Sequence, residues 1–412
     1  MREMKDSGFE WIGTIPCHWN LTRIANLYRV RNQKVSDKDF PPLSVTMKGI
    51  VPQLETAAKT NDGDNRKLVR VGDFAINSRS DRRGSCGISA LDGSVSLINT
   101  VLMPLSEMNP RYYNWLFHTV QFADEYYKCG HGIVDDLWTT TWQEMKKIVI
   151  PTPPFDEQEK IAEFLDAKCA EIDALIADIQ AQIETLEQYK RSTIAEAVTK
   201  GLDSKIELKD STLEWIGKVP VHWEIKPNKY LMKKLKQIQP IYDGEDIISL
   251  TVNGVIKRDL DNPSGKMPTS FDGYQFVYPG NLLMCLFDID VTPRCIGLIK
   301  DFGLTSPAYS QFVLNKGVDA AYYYYYYLNL DFNKELLHLA KNQRHSLNEE
   351  QFGAIKTVVP PFEEQVAIAK YLDERCDEIN KCISAKQEQI ATLESYKKSI
   401  IFEYVTGKKE VV

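Results

Sequence analysis

The stretch Asp156–Lys200 decides the fold, and it reads DEQEKIAEFLDAKCAEIDALIADIQAQIETLEQYKRSTIAEAVTK. Its apolar residues recur every three or four positions, which is the spacing of a coiled-coil seam. The members of this seam are Ile161, Leu165, Cys169, Ile172, Ile176, Ile179, Ile183 and Leu186. Two prolines precede the stretch and Gly201 follows it, as at a helix start and a helix stop. The pattern predicts a helix of roughly 65 Å, at about 1.5 Å per residue, that needs a partner along its apolar stripe.

A second copy of this stretch occupies residues 361–406 of the same chain. Residues 154–158 (PFDEQ) align with residues 361–365 (PFEEQ) at an offset of 207, and the offset holds without gaps to the end of the helix. The second seam consists of Ile368, Leu372, Cys376, Ile379, Ile383, Ile390 and Leu393. Because the register persists over more than six turns, we infer an internal duplication in which the two helices are each other's partner.

A shorter repeat precedes each globular segment, and we call its two copies the Trp loops. Residues 6–19 read DSGFEWIGTIPCHW, and residues 210–223 read DSTLEWIGKVPVHW at an offset of 204. The loops place His18 and His222 between a proline and a tryptophan. A catalytic histidine needs a nucleophile or a carboxylate beside it, and the sequence shows no such arrangement. A packed structural loop is therefore the favoured interpretation.

These repeats divide the chain into four parts and predict an α+β fold. A globular domain at 1–150 contains the first Trp loop, and a helical region follows at 151–202. A second globular domain at 203–358 contains the second Trp loop, and a second helical region follows at 359–412. The globular parts read as short strands and helices with frequent Gly and Asp turns. We expect two pseudo-symmetric mixed α/β domains separated by two long paired helices.

Charge is distributed unevenly along the chain. The net charge is −7, and residues 156–202 hold 11 acids against 5 bases. Residues 20–150 hold 14 acids against 17 bases. A uniformly basic nucleic-acid binder is therefore disfavoured, whereas basic faces on the globular domains remain open.

Several functional classes are disfavoured by the composition. The eight cysteines form no CxxC pair, which indicates reduced thiols and a cytoplasmic protein. No apolar run is long enough for a membrane span, and residues 1–20 carry acids, Trp and Pro where a signal peptide is apolar. His and Cys never cluster at ligand spacing, so we expect no metal site. A GxxxxGK(S/T) loop and a Gly-rich cofactor turn are both missing, so we expect no cofactor in this chain.

Basic loops in the globular domains are candidate DNA-binding sites. Arg reads guanine, Asn and Gln read adenine, and Ser contacts phosphate, whereas the alternative is that these loops are simply solvated. The candidates in the first domain are Ser78, Arg79, Ser80, Arg82 and Arg83. The candidates in the second domain are Lys257, Arg258, Arg294, Lys341, Gln343 and Arg344. The tyrosine run 322–327 could stack on bases, but on a helix most of its rings would pack in the core.

The doubled plan, the EWIG–P–HW loop and the PPF(D/E)EQ helix entry together resemble the specificity subunit of Type I restriction–modification systems. The resemblance covers essentially the whole chain. It implies that each globular domain is a target recognition domain that reads one half of an asymmetric bipartite site in double-stranded DNA. It also implies that the two helices form an antiparallel coiled coil, which sets the spacer between the half-sites and docks the modification subunits.

The resemblance further implies that this chain is not an enzyme. Two modification subunits would supply S-adenosyl-methionine-dependent methylation, and two restriction subunits would supply ATP-dependent translocation and cleavage, with Mg also held by these partners. No membrane partner is implied. The recognised bases do not follow from the sequence, because base readout depends on loop geometry.

Two other functional classes remain as alternatives. One is a coiled-coil adaptor that never binds DNA, and the other is a self-contained DNA methyltransferase or nuclease. Residues 152–155 (TPPF) and 359–362 (VPPF) superficially resemble the Asn/Asp-Pro-Pro-aromatic motif of amino-methyltransferases. Val359 lacks the polar side chain that this motif needs, so both segments are interpreted as helix entries.

Overall fold

The computed structural model describes residues 2–55, 62–105, 108–132, 138–263, 265, 268–340 and 345–411. It comprises two compact units. Unit 1 contains Met1–Ile179 and Gln387–Val412, and unit 2 contains Gln180–Lys386. The predicted domain boundaries at residues 150, 202 and 358 stay a prediction. Each unit combines helices with antiparallel strands, which confirms the predicted α+β class.

Unit 1 is built from short antiparallel strands flanked by short helices. Its strands are β1 Met4–Asp6, β2 Thr14–Pro16, β3 Asn20–Arg23, β4 Tyr28–Val30, β5 Lys34–Val35, β6 Leu43–Thr46, β7 Gly49–Pro52, β8 Arg66–Val69, β9 Phe74–Asn77, β10 Cys86–Ile88, β11 Gly93–Val95, β12 Asn99–Pro104 and β13 Val149–Thr152. Its helices are α1 Pro110–Phe117, α2 Val120–Lys128, α3 Trp142–Met145 and the beginning of α4 Phe155–Lys200, with 3-10 turns at Ile24–Asn26 and Ser80–Arg82. The largest sheet has the order β10-β9-β12-β4, so β4 is an edge strand.

Unit 2 repeats this plan. Its strands are β14 Leu208–Asp210, β15 Lys218–Pro220, β16 Glu224–Pro227, β17 Met232–Leu235, β18 Ile248–Thr251, β19 Gly254–Lys257, β20 Gln275–Val277, β21 Leu282–Met284, β22 Ile296–Leu298, β23 Gly303–Thr305, β24 Ser310–Leu314 and β25 Lys356–Val359. Its helices are α5 Ala320–Phe332, α6 Glu349–Ala354 and the beginning of α7 Phe362–Val405, with 3-10 turns at Asn228–Tyr230 and Glu335–Leu339. The largest sheet has the order β17-β24-β21-β22, so β17 corresponds to β4 as an edge strand.

In unit 1 the two long helices lie side by side and antiparallel. The rings of Phe164 on α4 and Tyr404 on α7 are 4.4 Å apart between centroids. Further along α4, Asp173 accepts a hydrogen bond from Lys397 Nζ at 2.6 Å. A later residue of α4 therefore meets an earlier residue of α7, which defines the antiparallel direction.

The same pairing continues within unit 2. Lys386 donates a hydrogen bond to Gln182, and Lys190 Nζ donates to Asn380 Oδ1 at 2.7 Å. These contacts again join later residues of α4 to earlier residues of α7. The prediction that the two repeated helices are each other's partner is confirmed.

The predicted seam residues face inward along both helices. The buried members are Ile161, Leu165, Cys169, Ile172, Ile183, Ile368, Leu372, Cys376 and Ile379. The half-buried members are Ile176, Ile179, Leu186, Ile383, Ile390 and Leu393. The first turns of α4 have a second role, because Ile161 and Leu165 also belong to the globular core of unit 1.

A glutamate in the first turn of α4 binds the first Trp loop, and we call the contact of Glu157 with His18 and Trp19 a clamp. Glu157 accepts a hydrogen bond from Trp19 Nε1 at 3.1 Å, and its other oxygen lies 2.6 Å from His18 Nε2. The guanidinium of Arg2 lies 3.0 Å from the same carboxylate. Burial opposes ionisation of Glu157, but the hydrogen bonds from His18 and Trp19 and the charge of Arg2 together lower its pKa.

Unit 2 repeats the clamp. Glu364 accepts from Trp223 Nε1 at 2.9 Å and lies 2.6 Å from His222 Nε2. The expectation that no carboxylate stands beside these histidines is therefore wrong. The contact could not be predicted from the sequence because more than 130 residues separate each histidine from its glutamate. The favoured interpretation of packed structural loops agrees with this geometry, since each carboxylate also binds a fully buried tryptophan.

Each Trp loop also contacts the end of a long helix. Gly407 follows α7 with φ +70°, and a Cβ atom there would lie 2.4 Å from Pro16 and 2.9 Å from Trp19. Gly201 follows α4 with φ +78°, and a Cβ atom there would lie 3.4 Å from Trp223. At Gly407 the left-handed conformation and the close approach both require glycine, whereas at Gly201 the left-handed conformation alone favours it. Each loop thus contacts the start of one long helix and the end of the other.

The next residue of the helix-entry motif fixes a globular helix. Gln158 accepts from the backbone N–H of Asn109, the N-cap of α1, at 2.9 Å and donates to the carbonyl of Pro153 at 2.8 Å. Gln365 forms the equivalent pair of bonds in unit 2, each at 2.8 Å. Both PPF segments lead directly into long helices, which confirms their interpretation as helix entries.

The tyrosine run lies on α5, and five of its six rings are buried. Four of these hydroxyls donate to neighbouring elements; for example, Tyr322 donates to the carbonyl of Val198 at 3.0 Å, and Tyr325 donates to Asp373 at 2.7 Å. Burial raises the pKa of Tyr326 to about 12. The run therefore packs the core of unit 2 and presents no stacking platform. Among the described residues, no helix has the length and apolar content that crossing a membrane requires.

Candidate nucleic-acid interface

A cleft of about 400 Å³ opens in unit 1 beyond the end of β9, and we call it the first cleft. Its lining contains amides, hydroxyls and two cations, and the described lining has no carboxylate. The polar lining residues are Asn32, Lys67, Ser78, Arg79, Thr100, Thr139, Thr141 and Gln143. The exposed side chains of Leu97 and Ile98 add an apolar wall. This mixture suits recognition of flat polar groups such as base edges.

Two predicted site residues line this cleft. Ser78 is buried, and its hydroxyl donates to the carbonyl of Ile98. The side chain of Arg79 is exposed, and in the described part of unit 1 it has no hydrogen bond or ion pair. Its backbone N–H donates to Asn77 Oδ1 at 3.1 Å, which fixes the turn. Arg79 therefore offers a full guanidinium to an external acceptor.

The rest of the predicted loop is held by acids to different degrees. Ser80 begins the 3-10 turn that ends at Arg82. Arg82 is well exposed and has a loose ion pair with its neighbour Asp81 at 3.5 Å. Arg83 is fixed more firmly, because it pairs with Asp124 and its guanidinium lies 5.6 Å from the ring centre of Tyr127. From Arg79 through Arg82 to Arg83, the guanidinium groups are therefore progressively less available to bind an external acceptor.

Lys67 adds a second positive charge to the wall of the first cleft. Its ammonium donates to the carbonyl of Asn99 at 2.6 Å, and burial lowers its pKa. Asn32 and Gln143 expose their amides nearby. Arg and Lys recognise guanine, and Asn and Gln recognise adenine, through paired hydrogen bonds. The cleft thus combines both classes of base-reading side chain.

Unit 2 contains a second cleft of about 500 Å³, which includes the predicted Lys257 and Arg258. Its charge is the opposite of that in the first cleft, because four acids line it: Glu245, Asp246, Asp259 and Asp261. Lys257 is paired with Asp246 at 2.7 Å. These carboxylates disfavour phosphate. Among the described residues, no group of three or more His, Cys, Asp or Glu side chains is arranged to hold a metal ion.

Arg294 is bound inside unit 2. Its guanidinium donates to the carbonyls of Ile296 and Val252 at 3.0 and 3.1 Å, and to the Tyr324 hydroxyl at 2.5 Å. It therefore ties the turn between β18 and β19 to β22 and α5. The remaining predicted residues, Lys341, Gln343 and Arg344, lie outside the described residues. The DNA-contact role of every candidate in both units stays a prediction.

Sequence reasoning missed several polar residues of the first cleft. Asn32, Lys67 and Gln143 come from three distant segments, and no local cluster marks them. Sequence reasoning also missed a run of lysines in unit 2, although the local excess of positive charge is apparent in the sequence. Residues 226–236 (KPNKYLMKKLK) hold five lysines, and no acid occurs between Glu224 and Asp243. A charge count in short windows finds this run.

The sequence of this chain is similar to those of known DNA specificity proteins. Residues 18–185 match the model of the family described as Type I restriction modification DNA specificity domain. The chain is 26% identical to the Type I restriction enzyme MjaVIII specificity subunit of Methanocaldococcus jannaschii, over 96% of this chain and 94% of that protein. It is 27% identical to the putative MjaX specificity subunit of the same organism, over 65% of this chain and 61% of that protein.

Two solved structures share the fold. One belongs to a study of complex assembly and conformational transition of the type I R-M system, with a TM-score of 0.71 and 13% identity over 96% of this chain and 99% of that chain. The other is the HsdS subunit from Thermoanaerobacter tengcongensis, with a TM-score of 0.50 and 15% identity over 98% of this chain and all of that chain. At these identities the likeness concerns the fold.

Proposed function

We propose that the chain belongs to the Type I restriction–modification specificity family and is the non-catalytic subunit that reads DNA sequence for such a complex. The observation that carries this proposal is the first cleft. Arg79, whose side chain has no partner among the described residues, lines this cleft together with the amides of Asn32 and Gln143, and the described lining includes no acid. Such a surface attracts the DNA backbone and can still discriminate bases.

Each unit reads one half of a bipartite site in double-stranded DNA under this proposal. Each cleft contains one lysine and one arginine, but only the second cleft adds four acids to its described lining, so we expect the two half-sites to differ in sequence and the complete target to be asymmetric. The duplicated clamps support the idea that both units present their reading surfaces on the same kind of scaffold.

The paired helices set the spacer between the half-sites. Their antiparallel contacts within each unit support a stiff pair, and a stiff connection makes half-site spacing a geometric constant. Inserting four residues after Ala181 and after Glu388 is expected to change the spacer and to preserve both half-sites. Sequencing of methylated bases in a strain that carries the insertion measures both quantities. A recognised site with its spacer unchanged contradicts the role of the helices.

The repeated helices also dock two modification subunits. Each unit exposes one phenylalanine and one tyrosine at equivalent positions to nearly the same extent. Phe155 and Phe362 are 52% and 50% exposed, and Tyr189 and Tyr396 are both 47% exposed. Exposed aromatic residues that recur at the same positions provide two similar surfaces for two identical partners.

Catalysis belongs to the partners in this proposal. The modification subunits supply S-adenosyl-methionine-dependent methylation, and two restriction subunits supply ATP- and Mg-dependent translocation and cleavage. The complex acts in the cytoplasm, where its DNA substrate lies. This chain contributes recognition and assembly.

Methylated-base sequencing of the source genome tests the proposed function. We expect one asymmetric bipartite motif to be methylated, and we expect this methylation to disappear when the gene is deleted and to return with the wild-type gene. Loss of methylation with Arg79→Ala but not with Lys381→Ala would connect the motif to the first cleft. Persistence of every methylated motif in the deletion strain would refute the proposal.

Binding assays separate this proposal from the two alternatives. A DNA-reading subunit gives salt-dependent binding of duplex DNA together with its modification subunits, whereas a pure adaptor gives none. Methylation or cleavage of DNA by the isolated chain would instead identify it as a self-contained enzyme.

A further inference from the structure

A lysine-rich surface in unit 2 belongs to none of the sites described so far. It consists of Lys229, Lys233, Lys234 and Lys236, and we call it the lysine surface. The four residues lie on the 3-10 turn Asn228–Tyr230, on β17 and just after it. Because β17 is the edge strand of its sheet, the described structure covers it with no further strand on that side.

These ammonium groups are weakly neutralised by the rest of unit 2. Lys234 approaches Glu349 only to 3.9 Å, at the limit of an ion pair. Lys229 lies 5.3 Å from the ring centre of the exposed Tyr230. Lys233 and Lys236 are exposed and have no ion pair or hydrogen bond from their side chains within the described part of the unit. Close-set positive charges of this kind repel one another, so an anion on the surface is stabilising.

The lysine surface borders a groove of about 350 Å³, which contains Lys229, Lys233 and Lys234 beside Phe352 and a single acid, Glu349. The groove and the first cleft share one equivalent lining position at the offset of 204, which is Lys234 in unit 2 and Val30 in unit 1. The offset of 204 that relates the Trp loops continues without gaps into the edge strands. The wall of the first cleft at β4 therefore has a lysine-bearing counterpart at β17.

Two lining positions of the first cleft carry lysine at the equivalent positions of unit 2. At the offset of 204, Val30 and Asn32 of the first cleft correspond to Lys234 and Lys236. An apolar residue and an amide, which suit base edges, are thus replaced by two point charges. Lysine ammonium groups bind phosphate without sequence preference, whereas amides read bases through paired hydrogen bonds.

From these observations we infer that the lysine surface is a phosphate-binding track, on which unit 2 holds the backbone of its DNA half-site independently of sequence. The inference rests on the proposed function and deepens it by assigning different roles to equivalent surfaces. Unit 1 reads bases at this position, and unit 2 supplies affinity for the backbone. The acid-lined second cleft does not supply that affinity, since its lysine is already paired.

Two competing roles for the lysines lead to different predictions. Lysines on an edge strand prevent edge-to-edge pairing between molecules, which requires no ligand. An acidic protein partner would also be attracted to them. We favour phosphate because Lys234 and Lys236 lie at positions equivalent to two lining residues of the first cleft, and because the proposed function is DNA recognition.

The experiment compares the wild-type chain with Lys233→Gln/Lys236→Gln, in the full-length protein alone and assembled with its modification subunits. The control is Lys370→Gln/Lys381→Gln, which removes the same charge from exposed positions of α7. Binding of a cognate duplex and of a scrambled duplex is measured over a range of salt concentrations. We expect the slope of log affinity against log salt to fall by about 2, at roughly 0.9 for each phosphate that is no longer neutralised, and affinity to fall by the same factor for both duplexes. The control and Lys233→Arg/Lys236→Arg should retain the wild-type slope.

Any different outcome overturns the inference. Loss of affinity for the cognate duplex alone shows that these residues read bases. Unchanged DNA affinity with increased aggregation shows edge protection, and unchanged DNA affinity with failed assembly shows a protein-docking surface. If the wild-type protein binds neither duplex in either form, the proposed function itself fails. If the wild-type protein binds DNA and the variant binds it with the same affinity and salt slope, the phosphate-binding role of the lysine surface is refuted and the proposed function is unaffected.

Discussion

Units 1 and 2 repeat one clamp at nearly identical distances, yet their clefts have opposite charge. The His–Glu distance is 2.6 Å in both clamps, and the Trp–Glu distances are 3.1 and 2.9 Å. The described lining of the first cleft contains two cations and no acid, whereas that of the second cleft contains two cations and four acids. The two units therefore share the clamp geometry and carry clefts of different charge.

The clamp residues hold the fold together, whereas the cleft residues are available to contact a bound molecule. The clamp joins a loop, the start of one helix and the end of another, so a change in any member disturbs the others. A cleft residue at the end of a strand can change without moving the strand. The clamp residues are therefore the same in both copies, whereas residues at strand ends, which hold no other element in place, differ between them.

The largest expected effect tests whether the two clamps are equivalent. Trp19→Ala and Trp223→Ala should each lower the free energy of unfolding by about 3–5 kcal/mol, because each removes a fully buried indole. Chemical denaturation of each variant measures this loss, with the exposed Tyr230→Ala as a control that should change stability by less than about 0.5 kcal/mol. A loss under about 1 kcal/mol for one tryptophan only would show that the copies are not equivalent.

The next effect separates a binding arginine from a structural one. Arg79→Ala should weaken binding of the cognate duplex by about 1–3 kcal/mol and leave stability unchanged, since its guanidinium has no partner in the described structure. Arg294→Ala should instead destabilise unit 2 by about 1–3 kcal/mol, because three acceptors lose their donor. Duplex binding and thermal unfolding are measured for both variants. Arg82→Ala/Arg83→Ala tests the rest of the loop, and intact binding there would identify it as a solvated turn.

A smaller difference is expected between the two glutamates of the clamps. Glu157→Gln should cost about 1.5–3 kcal/mol, because this carboxylate is 17% exposed and also binds Arg2. Glu364→Gln should cost about 0.5–1.5 kcal/mol, because its side chain is 36% exposed and solvent screens its charge. Urea unfolding of the two variants measures the difference. Equal losses would mean that the contact with Arg2 and the deeper burial contribute nothing.

The smallest effect is a loss of stability in unit 1 at acidic pH. Burial lowers the pKa of His118 below its ordinary value of 6.5, and the clamp lowers the pKa of Glu157 below 4.5. For both groups the unfolded state takes up protons first, so their stabilisation is complete above the ordinary pKa and declines below it. Unfolding should be measured from neutral to acidic pH. We expect His118→Asn to flatten the upper part of the curve and Glu157→Gln the lower part, and a parallel curve for either variant would contradict the assignment.

The sequence predicts the elements whose signals are local or repeated. The 3.5-residue spacing from Ile161 to Leu186 predicts a long helix, and the offset of 207 identifies its partner. Both follow from periodicity, which a sequence displays directly. The burial of most rings in the tyrosine run could also be predicted, because adjacent rings on a helix cannot all face solvent.

The clamps and the first cleft could not be predicted in the same way. Glu157 lies 139 residues from His18, and several glutamates in the first turns of α4 look equally suitable. Arg294 resembles a surface arginine in sequence, because its three acceptors come from separate elements. Long-range contacts of this kind depend on how elements pack, and no local pattern encodes that packing.

The discontinuity of unit 1 has a consequence for synthesis of the chain. Its core includes Ile401 and Val405, yet its first segment ends at Ile179, and the 207 residues of unit 2 come between. At about 5–20 residues per second, a ribosome needs roughly 10–40 s to make that interval. Throughout it, the nascent first segment waits with part of its apolar surface uncovered, while unit 2 is contiguous and can fold as it emerges. The amino-terminal half of this protein is thus begun first and finished last.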